Sequence, residues 1–171
     1  WYTKAAEQGH ASAQTNIGVM YESGTGVPED DAVAVKWYTK AAEQGDASAQ
    51  YNIGVMYGSG TGVPEDDAVA VKWYTKAAEQ GIASAQFNLG VMYANGLGVP
   101  EDDAVAVKWY TKAAEQGHAS AQTNIGIMYA KGNGVPEDYA MAYMWLNLAS
   151  AQGNNDAKHN KDIVAKRMTR E

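Results

Sequence analysis

The sequence predicts an all-α protein, an α-solenoid of antiparallel helix pairs with 36-residue repeats that form a right-handed superhelix. Three observations carry this: a fixed period, apolar residues at helical spacing inside each period, and glycine and proline in the same slots of every copy. The segment Trp37 to Gly45 (WYTKAAEQG) recurs from Trp1, Trp73 and Trp109, and Asn-Ile/Leu-Gly-Val/Ile-Met-Tyr recurs from Asn16, Asn52, Asn88 and Asn124. Residues 1–36 and 37–72 differ at only three places, His10/Asp46, Thr15/Tyr51 and Glu22/Gly58. Pro28, Pro64, Pro100 and Pro136 hold one slot; Trp1, Trp37, Trp73, Trp109 and Trp145 hold another. A single domain over 1–171 is expected, with a partial helix at 1–8, repeat units at about 11–45, 47–81, 83–117 and 119–153, and a C-terminal capping helix at about 156–170.

The elements follow in chain order. The chain opens at Trp1, without an initiating Met and midway through what is elsewhere a repeat's second helix, so it reads as a piece whose natural N-terminus lies upstream. Any targeting segment would lie there too, which leaves localisation open. The first helix of a unit, helix A, runs from about Ala11 to Glu22, where Ala13, Ile17, Met20 and Tyr21 fall on one stripe. Gly18, Gly54, Gly90 and Gly126 sit in its middle, at a cost of roughly 1 kcal/mol of helix propensity relative to Ala. A cost repeated in every unit predicts a steric need, namely close approach of helix A to helix B. The turn Gly60-Thr61-Gly62-Val63-Pro64 ends helix A, and Glu65-Asp66-Asp67 then complements the positive end of the next helix dipole.

Helix B follows, with Ala34, Trp37, Tyr38, Ala41 and Ala42 on its buried stripe. Gly45 fits the left-handed residue that ends it, and Asp46 fits a cap on the next helix A. No segment reads as a strand. Near the C-terminus Tyr139, Met141, Tyr143, Met144, Leu146 and Leu148 replace the usual helix B residues. The segment Asp156 to Glu171, with Ile163, Val164 and Met168 on one side, reads as the cap of the stack.

Composition limits the function. Thirteen Lys and Arg against twenty Asp and Glu give a net charge of −7, and the chain has no cysteine. No disulfide framework or thiolate zinc site is therefore available. A mean hydropathy of −0.42 and the lack of a long apolar run exclude a transmembrane helix. Residues 1–155 hold eight basic and seventeen acidic side chains, and only the tail is positive. That balance opposes a nucleic-acid surface, which rests on Lys and Arg.

The motif A-x-A-Q-x-N-[IL]-G-x-M-Y, then G-x-G-V-P-E-D, then A-x-x-W-Y-x-K-A-A-E-Q-G, closely resembles the Sel1-like repeat (SLR), a relative of the tetratricopeptide repeat. The resemblance covers about four repeats, a divergent last helix B and the tail. Tyr139 to Ala149 together with Ala165-Lys166-Arg167-Met168 looks like the C-terminal end of bacterial SLR proteins. It implies an adaptor that brings proteins together in signalling, envelope assembly or host contact, without chemistry or a cofactor of its own. Cysteine-bridged members exist in some bacteria; this chain is not of that kind.

Residues shared by every unit hold the stack together, so partner identity is expected where units vary. Ser12, Thr15, Asn16, Val19 and Ser23 lie opposite helix A's buried stripe, on the side expected to be concave. The candidate partner-binding residues there are the amide ladder Asn16, Asn52, Asn88 and Asn124, the slot Thr15, Tyr51, Phe87 and Thr123, and the slot Ser23, Ser59, Asn95 and Lys131. The amides can donate to and accept from a peptide backbone, and Tyr51 and Phe87 are candidate aromatic anchors. The alternative is that Asn bonds a neighbouring turn and the two rings fill space between helices.

Catalysis lacks support. His10, His118 and His159 are the only histidines, no His-x-x-x-His spacing exists, and the glycine loops have no Gly-Lys-Ser/Thr. No metal site or cofactor is expected. The expected partner is a protein or peptide. Two other readings stand beside the adaptor: a structural spacer that self-associates end to end, and the regulatory arm of a larger enzyme.

Overall fold

A computed structural model describes residues 2–169, so expectations for Trp1, Arg170 and Glu171 lie outside the described residues. Ten helices follow one another, with no strand among the described residues: α1 Tyr2–Glu7, α2 Ala11–Ser23, α3 Asp31–Glu43, α4 Ala47–Ser59 and α5 Asp67–Glu79, then α6 Ala83–Asn95, α7 Asp103–Glu115, α8 Ala119–Lys131, α9 Tyr139–Ala151 and α10 Asn155–Met168. The even-numbered helices are A helices and the odd-numbered ones B helices. The chain divides into two compact units, Trp1–Ala85 and Gln86–Glu171. In each, helices pack on their sequence neighbours, the arrangement expected of a stack of helix pairs.

Local chemistry sets the helix ends. Asp30, Asp66, Asp102 and Asp138 cap α3, α5, α7 and α9, each carboxylate accepting a backbone N–H three residues on at 2.9 Å. Asp46 caps α4 in the same way, through Ala49 N–H at 2.9 Å. Gly45, at φ +94°, donates to Ala42 O, and Asp46 N–H reaches back to Ala41 O, the paired closure that favours glycine. The A-to-B turn is closed by Asp66 N–H to Tyr57 O at 2.9 Å.

Packing explains the repeated glycine. A Cβ on Gly18 would lie 2.5 Å from Tyr38 Cε1, and one on Gly54 would lie 2.7 Å from Tyr74 Cδ1. The tyrosine ring of the following B helix thus lies on the A-helix backbone. In unit Trp1–Ala85 one core cluster joins Ala34, Val35, Tyr38, Ala41 and Ala42 of α3 to Ala49, Ile53 and Met56 of α4. The same slots of α7 and α8 form a cluster in the other unit.

One stripe assignment needs correction. Val35 is 8% exposed and belongs to the core, whereas Trp37 is only partly buried. The tryptophan packs against the cluster before its own: Trp37 on Ala6, Ala13 and Ile17, and Trp73 on the α3–α4 cluster. Its other side carries a lysine ammonium, Lys40 at 4.5 Å and Lys76 at 4.3 Å from the ring centre. Tryptophan is therefore the joint between pairs, and valine fills the depth.

A second feature was not visible as an apolar pattern. Gln14, Gln50, Gln86 and Gln122 are buried to 4–5% exposure. Gln50 donates to Ala42 O at 3.1 Å and accepts from Gln80 at 2.7 Å; Gln122 does the same with Ala114 O at 3.1 Å and Gln152 at 2.8 Å. α4 and α8 are thus each stitched to the B helices on both sides, and these buried amides find their partners.

Candidate partner-binding face

The A helices present their open side through the ladder slot. Asn16 is exposed, and Asn52, Asn88 and Asn124 are half-buried. Two of these amides lie near a tyrosine hydroxyl, Asn52 near that of Tyr38 and Asn124 near that of Tyr110. Burial pushes the Tyr38 hydroxyl well above the usual tyrosine range, and its bond to Glu22 pushes it further, while Asn52 opposes the shift. For Tyr110 burial is again the largest cause of an upward shift, with Asn124 opposing and Asp103 adding to it. Both phenols stay protonated near neutral pH.

The slot before the ladder is more enclosed. Thr15 and Thr123 are buried, and their hydroxyls donate to Ala11 O at 3.1 Å and Ala119 O at 2.9 Å in their own helices. Tyr51 and Phe87 are more than half covered. Tyr51 leans on Tyr74 with ring centres 6.0 Å apart, and Phe87 leans on Tyr110 at 5.9 Å and stacks on His118 at 4.7 Å. That placement fits packing between helices and leaves each ring only partly open to a partner.

The outer slot is open. Ser23, Ser59, Asn95 and Lys131 are all exposed. Ser23 and Asn95 bond their own helix, to Val19 O at 2.8 Å and Val91 O at 2.7 Å. In unit Gln86–Glu171 the structure brings Asn95, Asn124 and Lys131 to one depression, together with Asp103, Tyr110 and Asn133.

Two residues on this face escaped the sequence reading. Asn160 and Arg167, on α10, follow Asn124 and Lys131 by 160 − 124 = 167 − 131 = 36 positions, so the ladder and the outer slot each have a fifth member. Counting the period into the divergent tail finds them. The histidines do not converge: His10 and His159 are exposed, whereas His118 caps α8 by accepting Ala121 N–H at Nδ1, 3.3 Å away. Among the described residues no helix is long and apolar enough to cross a membrane.

The sequence matches the Sel1 repeat at residues 1–10, 11–46, 47–82, 83–118 and 119–154. No curated protein gives a match. The fold is similar to that of a protective antigen of uropathogenic Escherichia coli with an SLR fold, at 41% identity and a TM-score of 0.96; the alignment covers 99% of this chain and 36% of the antigen. A Sel1 repeat protein from Oxalobacter formigenes is also 41% identical, with a TM-score of 0.83 over 88% of this chain and 62% of that one. The chain thus spans about a third of the antigen's length and less than two thirds of the second protein's. Helicobacter pylori cysteine rich protein B, at 23% identity and a TM-score of 0.59 over 74% of this chain and 90% of its own, shares the fold.

Proposed function

Because the chain belongs to the Sel1 repeat family, whose members generally mediate protein–protein interaction and are typically non-enzymatic, we propose that it is a scaffold holding an extended segment of a partner protein along its A-helix face. One observation carries this reading: Asn16, Asn52, Asn88 and Asn124 all keep contact with solvent in the same slot of successive A helices. An amide offers a donor and an acceptor at one point, which suits a peptide backbone. The depression around Asn95, Asn124 and Lys131 supports the same face.

The test is selection of binders from a displayed random-peptide library, followed by titration against the chain carrying Asn16→Ala, Asn52→Ala, Asn88→Ala and Asn124→Ala. Saturable binding to the native chain, lost in the variant while far-UV helicity is kept, is the expected result. Binders indifferent to all four changes would move the interaction off this face.

A further inference from the structure

The A-helix face changes character towards its C-terminal end. Its outer slot reads Ser23, Ser59, Asn95, Lys131 and Arg167, from neutral hydroxyls to two cations in a chain whose net charge is −7. Between α8, α9 and α10 lies a recess of about 220 Å³, with Ile127, Ile163 and Val164 along its walls and Lys131, Asn160 and Arg167 as its polar lining. Ile163 is 41% exposed although it faces this apolar hollow. Arg167 is held at the rim: Nη1 donates to Tyr139 Oη at 3.2 Å, and the guanidinium lies 5.9 Å from that ring's centre. Glu137 is the acidic side chain whose charge reaches Arg167.

Pockets for small molecules usually enclose about 300–1,000 Å³, so a hollow of this size is better matched to one apolar side chain of a chain lying across it. The adjoining cations select what flanks that side chain. Arg and Lys bond carboxylates through charge-assisted contacts, and Asn160 can orient the backbone between them.

We propose that this recess is a specificity site for an acidic segment of a partner protein, which inserts one large apolar side chain between α8 and α10 and places flanking carboxylates on Lys131 and Arg167. This assignment rests on the A-helix-face reading above and supplies the chemistry of its partner. Residues 1–155 carry a net charge of −9 and the tail after them is positive, so an acidic segment is favoured at this end.

The probes are fluorescein-labelled peptides in which leucine alternates with glutamate, a copy with glutamine for every glutamate, and a copy with serine for every leucine. Fluorescence anisotropy is expected to give saturable binding of the first peptide, weakened about tenfold or more by either replacement and by Lys131→Gln with Arg167→Gln. Both side chains are exposed, so the double variant keeps the fold, which circular dichroism verifies. Binding should also weaken as salt is raised.

Absence of binding near millimolar protein, equal binding of the glutamate and glutamine peptides, or indifference to the double substitution overturns the assignment. Salt-sensitive self-association abolished by the double variant would give the recess to a second copy instead, and overturns it too. Library-selected peptides that depend on the asparagine ladder but not on Lys131 and Arg167 would leave the A-helix-face reading standing while this one falls.

Discussion

At the scale of single residues, absent side chains matter as much as present ones. Gly54 gives up roughly 1 kcal/mol of helix propensity so that the Tyr74 ring can lie on the α4 backbone. Gly54→Ala regains that propensity but places a methyl 2.7 Å from Tyr74 Cδ1, on a ring that is 6% exposed and has little room to move. Overpacking of this kind costs about 1–3 kcal/mol, so a net loss of up to about 2 kcal/mol is expected, read as a lower urea midpoint; a higher midpoint would refute the contact. His118 gives the pH-dependent case. Burial holds its imidazole below the usual pKa, and Nδ1 must be unprotonated to accept Ala121 N–H. The unfolded chain therefore binds more protons than the folded one once pH drops below about 6.5, and this contribution to stability, full above that pH, declines as pH falls towards the folded pKa. His118→Asp installs the cap that Asp46 provides for α4. Urea midpoints at about pH 7.5 and about pH 5 should differ more for the native chain than for the variant.

At the scale of elements, α4 and α8 are each bound to their neighbours by one apolar stripe and one buried amide. Gln50→Leu removes one of two bonds to the Ala42 carbonyl, which keeps Gly45 N–H, and one acceptor of the exposed Gln80 side chain, which keeps Gly45 O. A lost hydrogen bond costs about 0.5–1.5 kcal/mol, so the variant should lose about 1 kcal/mol despite its greater apolarity. Equal or greater stability in urea would mean that water or a rearranged Gln80 takes over. The same elements mark what was legible in the sequence. Period, stripes and caps made the all-helical chain of 36-residue helix pairs legible, since each depends on residues close in the chain. The division of labour between Val35 and Trp37 did not follow, because both fit a helical stripe and only the neighbouring pair decides which is deep. The glutamine stitching joins residues 30 apart, such as Gln50 and Gln80, and no apolar periodicity reports that. On the candidate face the exposed slots, from Ser23 to Lys131 and at Asn16, were readable as the polar side of helix A. Thr15 and Thr123 were not, because a hydroxyl satisfied by its own helix can be buried at little cost.

At the scale of the whole molecule, near-identical repeats make the number of units a variable that experiment can change. Residues 47–82 form one complete Sel1 match, and their removal joins Asp46 to Ala83, the junction at which Asp46 already meets Ala47. Asp46 remains the residue before an A helix, and α3 still precedes one that carries the same Gln and Gly slots, now Gln86 and Gly90. Stability in such arrays is approximately a sum of unit and nearest-neighbour contributions. The shortened chain should therefore keep its helicity per residue. Its urea m-value should fall by roughly a fifth, the share of 36 residues in 171, because m scales with the surface exposed on unfolding. Its midpoint should fall as well, since one pair and the neighbour contacts that came with it are gone. Circular dichroism followed through urea measures all three quantities at once. A chain that loses its helicity altogether would mean that the removed pair is indispensable, and that its copies do not substitute for it as their near-identity requires.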